Sequence, residues 1–291
     1  MKIIISGSLG NIGKPLTTKL VKAGHDVTVI TSSADKKTAI EALGAEAAVG
    51  SVSDSDFLTQ TINGADALFA MTPPNLGGQN VIANTTEAGK AYAKAIQETN
   101  IKRVVMLSSF GADLPNGTGP IAGLYNIEQL YNALDTSITF LRAGYFYTNF
   151  YSNVPMINAA GIIGGNYPAD LQLPMVHPDD IADAAAEELQ KIPAGKNIRY
   201  VMSDIRTLGE VAKVFGTAIG KPELPWVEFT DEQSLGGMIE AGVPEEIAQL
   251  YTEMGAGLRS GKIASHFLSV NASVDGKTKL EDFAKEFAAQ F

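Results

Sequence analysis

KIIISGSLGNIG, Lys2 to Gly13, joins three isoleucines, Ile3 to Ile5, to glycines at Gly7, Gly10 and Gly13, and a stretch of helical periodicity follows. The apolar run is too short for a helix and reads as a strand buried on both faces. Glycine at every third position between such a strand and a helix suits a turn wrapped around a phosphate. Gly7 allows the tight turn, Gly10 lets the backbone approach a pyrophosphate, and Gly13 lets the helix pack against the sheet. Ser8 lies in the turn, and the amides of Asn11 and Ile12 would face the phosphates. The unpaired N–H groups and dipole of a helix start stabilise an anion without any side-chain charge. The alternative is a glycine-rich turn with a purely structural role.

Outward from this stretch, short β-branched runs alternate with helical patterns. Strands are expected at Lys2 to Ser6, Asp26 to Thr31, Ala47 to Val49, Ala67 to Met71, Arg103 to Ser108 and Ile138 to Arg142, and a later one at Ile198 to Met202. Helices are expected from near Ile12, Asp35, Asp54, Val81 and Tyr125. Right-handed crossovers stack such units into an α/β fold with a doubly wound parallel sheet, the Rossmann architecture. Residues 1–150, with the later strand, are therefore expected to form a dinucleotide-binding domain. Residues 151–291 form a smaller, mostly helical part that covers a substrate. There, Asp179 and Asp180 read as caps of the helix Ile181 to Gln190. Leu208 to Gly216, Pro244 to Met254 and Leu280 to Phe291 read as amphipathic helices.

The second strand decides which dinucleotide. An NAD enzyme tends to place a carboxylate there for the ribose 2′-hydroxyl, whereas this chain has Thr31, Ser32 and Ser33, with Lys36 nearby. Hydroxyls and a cation suit a 2′-phosphate, so NADP(H) is expected, with NAD(H) left open. Asp35 reads as a cap of the next helix before it reads as a ribose ligand. Thr72 and Pro73 end the fourth strand, at the sheet edge where cofactors lie in such folds.

Composition narrows the partners. The chain has 291 residues, 45% hydrophobic and 19% charged, as an ordinary globular protein has. Its net charge of −10, with no basic stripe, speaks against direct nucleic-acid binding. Without cysteine, disulfides, thiolate catalysis and zinc–cysteine sites are excluded. A reducing cytoplasm fits, no apolar run is long enough to span a membrane, and the strand at Lys2 leaves no room for a signal peptide. His25, His177 and His266 have no metal-ligand spacing. The chain is expected to work alone or as a simple homodimer.

These residues resemble the NmrA-like group of atypical short-chain dehydrogenases, and within it the NAD(P)H:quinone oxidoreductases. The resemblance rests on Ser6 to Gly13, VTVITSSADK from Val27 to Lys36, LSSFGAD from Leu107 to Asp113, FLRAGYFYTNF from Phe140 to Phe150, and HPDDIADAA from His177 to Ala185. It implies that Ser108 and Ser109 lie beside the nicotinamide, Ser108 on the cofactor and Ser109 at the chemistry, although a strand-end serine also caps a turn. Tyr145 and Phe146 would shape the acceptor pocket, or serve as core. Ser32 stands where the group often has Arg, and Ser51 where it has Asp. The Tyr-x-x-x-Lys pair of ordinary short-chain dehydrogenases is missing, since Gln129 follows Tyr125 and Leu124 replaces a lysine of some relatives. A quinone suits that loss, because its reduced form is a stabilised phenolate that needs no strong acid, whereas an unactivated ketone does need one. The expected activity is hydride transfer from NAD(P)H to a quinone or similar small electron acceptor. A non-catalytic NAD(P) sensor with a protein partner is the alternative.

Overall fold

The computed structural model describes residues 1–75, 77–191 and 195–291. Along the chain the elements are β1 (Lys2–Ile5), α1 (Gly13–Lys22), β2 (Asp26–Thr31), α2 (Lys37–Glu41), β3 (Glu46–Val49), α3 (Ser55–Ile62), β4 (Ala67–Ala70), α4 (Val81–Thr99), β5 (Arg103–Ser109), α5 (Ile121–Asn132) and β6 (Ser137–Ala143). The second half adds β7 (Tyr145–Phe146), α6 (Val154–Ala160), β8 (Ile163–Gly165), β9 (Gln172–Val176), α7 (Pro178–Leu189), β10 (Lys196–Val201), β11 (Asp204–Thr207), α8 (Leu208–Ala218), β12 (Trp226–Glu228), α9 (Asp231–Glu240), α10 (Glu245–Arg259), α11 (Ser265–Ser269) and α12 (Leu280–Ala288).

Seven strands form one sheet in the order β10-β6-β5-β4-β1-β2-β3. β1 pairs in parallel with both β2 and β4, so the strand order reverses beside it. In sheets of this kind the crevice at the carboxyl ends of the two diverging strands is where ligands bind. Ile3, Ile4, Ile5, Leu68, Phe69, Val104 and Val105 are fully buried, as strands covered on both faces require. Each buried aliphatic side chain contributes about 1.5–3 kcal/mol, so this layer fixes the register that presents the strand ends.

The chain divides into two compact units that interleave: Met1–Ser109, Gly123–Arg142 and Ile181–Arg199 in the first, and Phe110–Ala122, Ala143–Asp180 and Tyr200–Phe291 in the second. The sequence reading cut the chain once, after residue 150. The units interleave because most of α7 and the start of β10 return to the first, while the segment before α5 joins the second. The second unit holds two small sheets, β11-β9-β7 and β12-β8, as well as helices. α8 and α12 pack there through Phe215 and Phe287, stacked at 4.2 Å between ring centroids.

Of the capping expectations, one is met in part and one is corrected. Asp179 and Asp180 stand inside the first turn of α7, which starts at Pro178, where carboxylates suit the positive end of the dipole, and the Asp179 amide donates to His177 Nδ1 at 3.1 Å. The Asp180 carboxylate is held by Ser203 Oγ at 2.6 Å and by the amides of Lys277 and Thr278 at 3.1 Å each, fixing the strap before α12. Asp35 lies inside a short 3-10 turn, Ala34–Lys36, and neither that turn nor α2 has a side-chain cap. Asp54 does cap α3, accepting from the amides of Asp56 and Phe57. Helix α5 begins at Ile121, ahead of the Tyr125 start expected from sequence.

Candidate functional site

The glycine loop leaves β1 with Gly7 at φ +102° and Ser8 at φ +55°, so the chain turns through the left-handed region twice in succession. A side chain at Gly7 would also collide with the methyl of Met71, the residue that follows β4. Gly13 is tighter still, since a Cβ there would lie 2.1 Å from the Ser8 carbonyl oxygen. Its role is thus to let the helix start fold back on the loop, rather than to let the helix reach the sheet. Gly10 is exposed, and the nearest atom to an added Cβ is the Gly7 carbonyl oxygen at 3.3 Å.

At the start of α1 no acceptor among the described residues takes the amides of Asn11, Ile12 and Gly13. Ile12, the N-cap, has no side-chain capping bond, and the first turn carries no acid. Lys14 stands exposed in that turn, where the helix dipole disfavours a cation. Three amides without an acceptor among the described residues, the positive end of a dipole and a lysine are groups that could hold an anion such as a pyrophosphate. The sequence reading does not include Lys14, whose signal is a cation in a first turn with no acid to pair it.

The loop is tied to its neighbours by hydroxyls. Ser8 Oγ donates to Thr31 Oγ1 at 3.0 Å, and Thr31 Oγ1 also accepts from the Ser33 amide at 3.2 Å. Thr31 is buried, so its hydroxyl serves the loop, while Ser32 and Lys36 are exposed and Ser33 is half-buried at the end of β2. Ser6 accepts from the Met71 amide at 2.7 Å and donates to the Phe69 carbonyl at 3.0 Å, and the Tyr92 hydroxyl reaches the Met71 carbonyl at 3.3 Å. These bonds set the chain direction just before Thr72, half-buried, and Pro73, exposed.

At the end of β5 the two serines separate. Successive strand residues face opposite sides. Ser108 points inward and donates to Glu128 Oε1 at 2.6 Å, and Arg142 closes on the same carboxylate at 3.1 Å and 2.7 Å. Its hydroxyl proton is therefore committed to a buried ion pair. Ser109 is half-buried on the other face.

In the second unit, Tyr145 and Phe146 form β7, paired in parallel with β9. They too face opposite sides, so one wall does not contain both. The Tyr145 ring lies against Phe150, at 5.2 Å between ring centroids. Burial first, then the neighbouring Tyr167 and Tyr251, hold the Tyr145 phenol well above its usual range. Among the described residues no group of three or more His, Asp or Glu could hold a metal ion, and no helix is long and apolar enough to cross a membrane.

A family model matches residues 1–284, that of the NmrA-like family. The chain belongs to this family. Its similarity to the NAD(P)H azoreductase of Xenophilus azovorans is 26% identity over 302 residues, covering 99% of each chain. Among solved structures it superposes on the NADPH-dependent quinone oxidoreductase of Escherichia coli in complex with NADPH, with a TM-score of 0.82 at 18% identity, over 98% of this chain and 99% of that one. The NADP(H) complex of triphenylmethane reductase from Citrobacter sp. gives a TM-score of 0.75 at 19% identity, over 99% of both chains. At these identities the structural likeness establishes the NmrA-like fold.

Proposed function

We propose that this NmrA-like protein is an NAD(P)H-dependent oxidoreductase that passes hydride to a quinone or a similar small electrophile. The observation that carries the reading is that the amides of Asn11, Ile12 and Gly13 meet no acceptor among the described residues, beside Lys14 and the open Gly10. The names of its relatives, an azoreductase, a quinone oxidoreductase and a triphenylmethane reductase, support the acceptor class. Gly7, Ser8, Gly10, Asn11, Ile12 and Gly13 would hold the pyrophosphate. Ser32, Ser33 and Lys36 would take the 2′-phosphate of NADP(H), with Thr31 fixing the turn and Thr72 and Pro73 bordering the cofactor. When bound, the dinucleotide supplies the hydride. Ser109, Tyr145 and Phe146 would shape the acceptor's surroundings. A cytoplasmic setting, as a monomer or homodimer and without nucleic acid, fits the cysteine-free, acidic chain.

The second reading, an NAD(P) sensor without turnover, draws on Gln129 and Leu124, where an acid–lysine pair is lacking. Single-turnover oxidation of bound NADPH separates the two. The reductase reading expects loss of NADPH absorbance with at least one quinone; tight NADPH binding with no oxidation by any of them supports the sensor. Ser32→Asp should reverse a modest preference for NADPH, since a carboxylate repels the 2′-phosphate and accepts from the 2′-hydroxyl. NADH binding tighter than NADPH in the unaltered protein would refute that preference.

A further inference from the structure

The chain has eight methionines and no cysteine, so its only sulfur chemistry is that of thioethers. In the first unit these are Met1, Met71 and Met106. Met106 is 2% exposed within β5, and Met1 lies exposed at the amino end of β1. Met71 alone of the three is half-buried at the carboxyl end of the sheet, directly after β4 and beside the glycine loop. Its methyl takes up the space over Gly7, where an added Cβ would lie 1.9 Å from Met71 Cε and 3.4 Å from Sδ. Both sides of this contact are tied down. The Met71 amide donates to Ser6 Oγ at 2.7 Å, and its carbonyl accepts from the Tyr92 hydroxyl at 3.3 Å. Across from it Gly7 turns at φ +102°, and the Ser8 amide donates to the Ile30 carbonyl at 3.1 Å.

A thioether is soft and apolar, so it packs against a bare backbone turn without demanding a partner. A sulfoxide is polar and puts a negative oxygen on the same sulfur. That oxygen would stand over a loop whose amides at Asn11, Ile12 and Gly13 meet no acceptor among the described residues, where it opposes an incoming phosphate by its bulk and by its charge. Resting on the dinucleotide reading above, we propose that Met71 is an oxidation site that controls the glycine loop: a peroxide converts its thioether to the sulfoxide, and the oxidised protein binds NAD(P)H more weakly. The sulfur attacks one oxygen of hydrogen peroxide, an S–O bond forms as the O–O bond breaks, and both hydrogens leave on the second oxygen as water. Sulfur gives up two electrons and the peroxide takes them. A hydroquinone supplies the oxidant, since it reduces dioxygen to hydrogen peroxide as it returns to the quinone. The switch therefore answers to the product of the proposed reaction, and bound dinucleotide, covering the same crevice, shields the sulfur.

The test uses the unaltered protein and Met71→Leu, which keeps an apolar side chain of similar volume over Gly7. Each is treated with hydrogen peroxide, with and without NADP+, and the oxidation of every methionine is followed by peptide mass spectrometry. Met71 should oxidise faster than Met106, Met175 and Met202, which are 2% exposed or less, and NADP+ at about 100 times its dissociation constant should slow it about tenfold or more. After removal of the peroxide, calorimetric titration should show NADPH bound about tenfold more weakly by the oxidised protein, the loss of one charge-assisted contact. Methionine sulfoxide reductase should restore the binding. Met71→Leu should hold its dissociation constant within about twofold before and after treatment. Met71 sulfoxide formed with an unchanged NADPH dissociation constant overturns the proposal, and so does an equal loss in treated Met71→Leu, which assigns the effect to another methionine. A Met71 that stays reduced while Met156 and Met254 oxidise overturns it as well. If the untreated protein binds neither NADPH nor NADH, the dinucleotide reading has failed and the proposal falls with it; tight binding before oxidation and equally tight binding after it fails the proposal alone.

Discussion

The two ends of β5 each bury a glutamate–arginine pair, and they are built to different specifications. At the carboxyl end, Glu128 has one cation, Arg142, and one hydroxyl, Ser108, with side chains 3% and 5% exposed for the pair. At the amino end, Glu188 meets Arg103 at 2.9 Å, Lys191 at 3.0 Å and Arg199 at 3.1 Å. Burial raises the Glu188 carboxyl, and the hydrogen bonds and charges of Lys191 and Arg199 more than offset this, so its pKa is lowered. Arg103 also bonds the Glu188 carbonyl and Thr139. At the amino end, then, three cations share the Glu188 carboxylate, whereas at the carboxyl end Glu128 is bonded by Arg142 and Ser108.

Arg142→Met would break this contrast most sharply. It leaves Glu128 buried without a cation, which costs about 3–5 kcal/mol, read as a lower midpoint in urea unfolding. Adding Glu128→Leu should recover most of the loss, because a hydrophobic pair of similar volume replaces both charges. A loss under about 1 kcal/mol for Arg142→Met would mean that the carboxylate finds water or another partner.

Gly10→Val moves the test to the glycine loop. Saturating NADPH at about 100 times its dissociation constant should stabilise the unaltered protein by roughly 2.7 kcal/mol. The variant should lose that gain and keep its own melting temperature within a few degrees, since only the Gly7 carbonyl crowds the position. A retained thermal shift would place the dinucleotide elsewhere. At the amino end of β5, Arg103→Met should cost about 1–3 kcal/mol, because Glu188 keeps Lys191 and Arg199. A loss equal to that of Arg142→Met would erase the distinction between the two ends.

The parts legible in the sequence are those that depend on neighbours along the chain. Ile3 to Ile5 with Gly7, Gly10 and Gly13 carried the first strand and the tight turn into α1, and Asp54 carried the start of α3. What was not legible depends on residues far apart. The bond from Ser108 to Glu128 is one such case, since nothing in the serine's own stretch announces a glutamate that arrives from α5. The Asp180 carboxylate is another, since its partners, Ser203, Lys277 and Thr278, come from later in the chain. The alternation of side chains along a strand also separates Ser108 from Ser109 and Tyr145 from Phe146, pairs that adjacency had grouped.

The smallest expected effect is at the surface. Asp231, paired with Arg259 at 2.9 Å and with Asn166 at 2.8 Å, has its carboxyl lowered to about 2, chiefly by Arg259 and then Asn166. The sign follows from the depressed value: the contribution is fully present above the unfolded value near 3.8 and is lost as pH falls through about 2. Asp231 and Arg259 are both more than a third exposed, so solvent screening limits the pair to under about 1 kcal/mol. Asp231→Asn should lower stability by that amount at pH 7 and by less at pH 2. An equal loss at both would show that the pair contributes through packing alone.

In the proposed complex the amides at the start of α1 hold the dinucleotide's phosphates. Backbone amide NMR of the uniformly labelled protein, titrated with NADPH, tests this at the atoms concerned. The largest downfield proton shifts are expected at Asn11, Ile12 and Gly13, whose amides meet no acceptor among the described residues and would gain phosphate oxygens, with smaller changes at Ser32 and Ser33. Saturable NADPH binding that leaves those three amides unmoved and shifts others instead would contradict it.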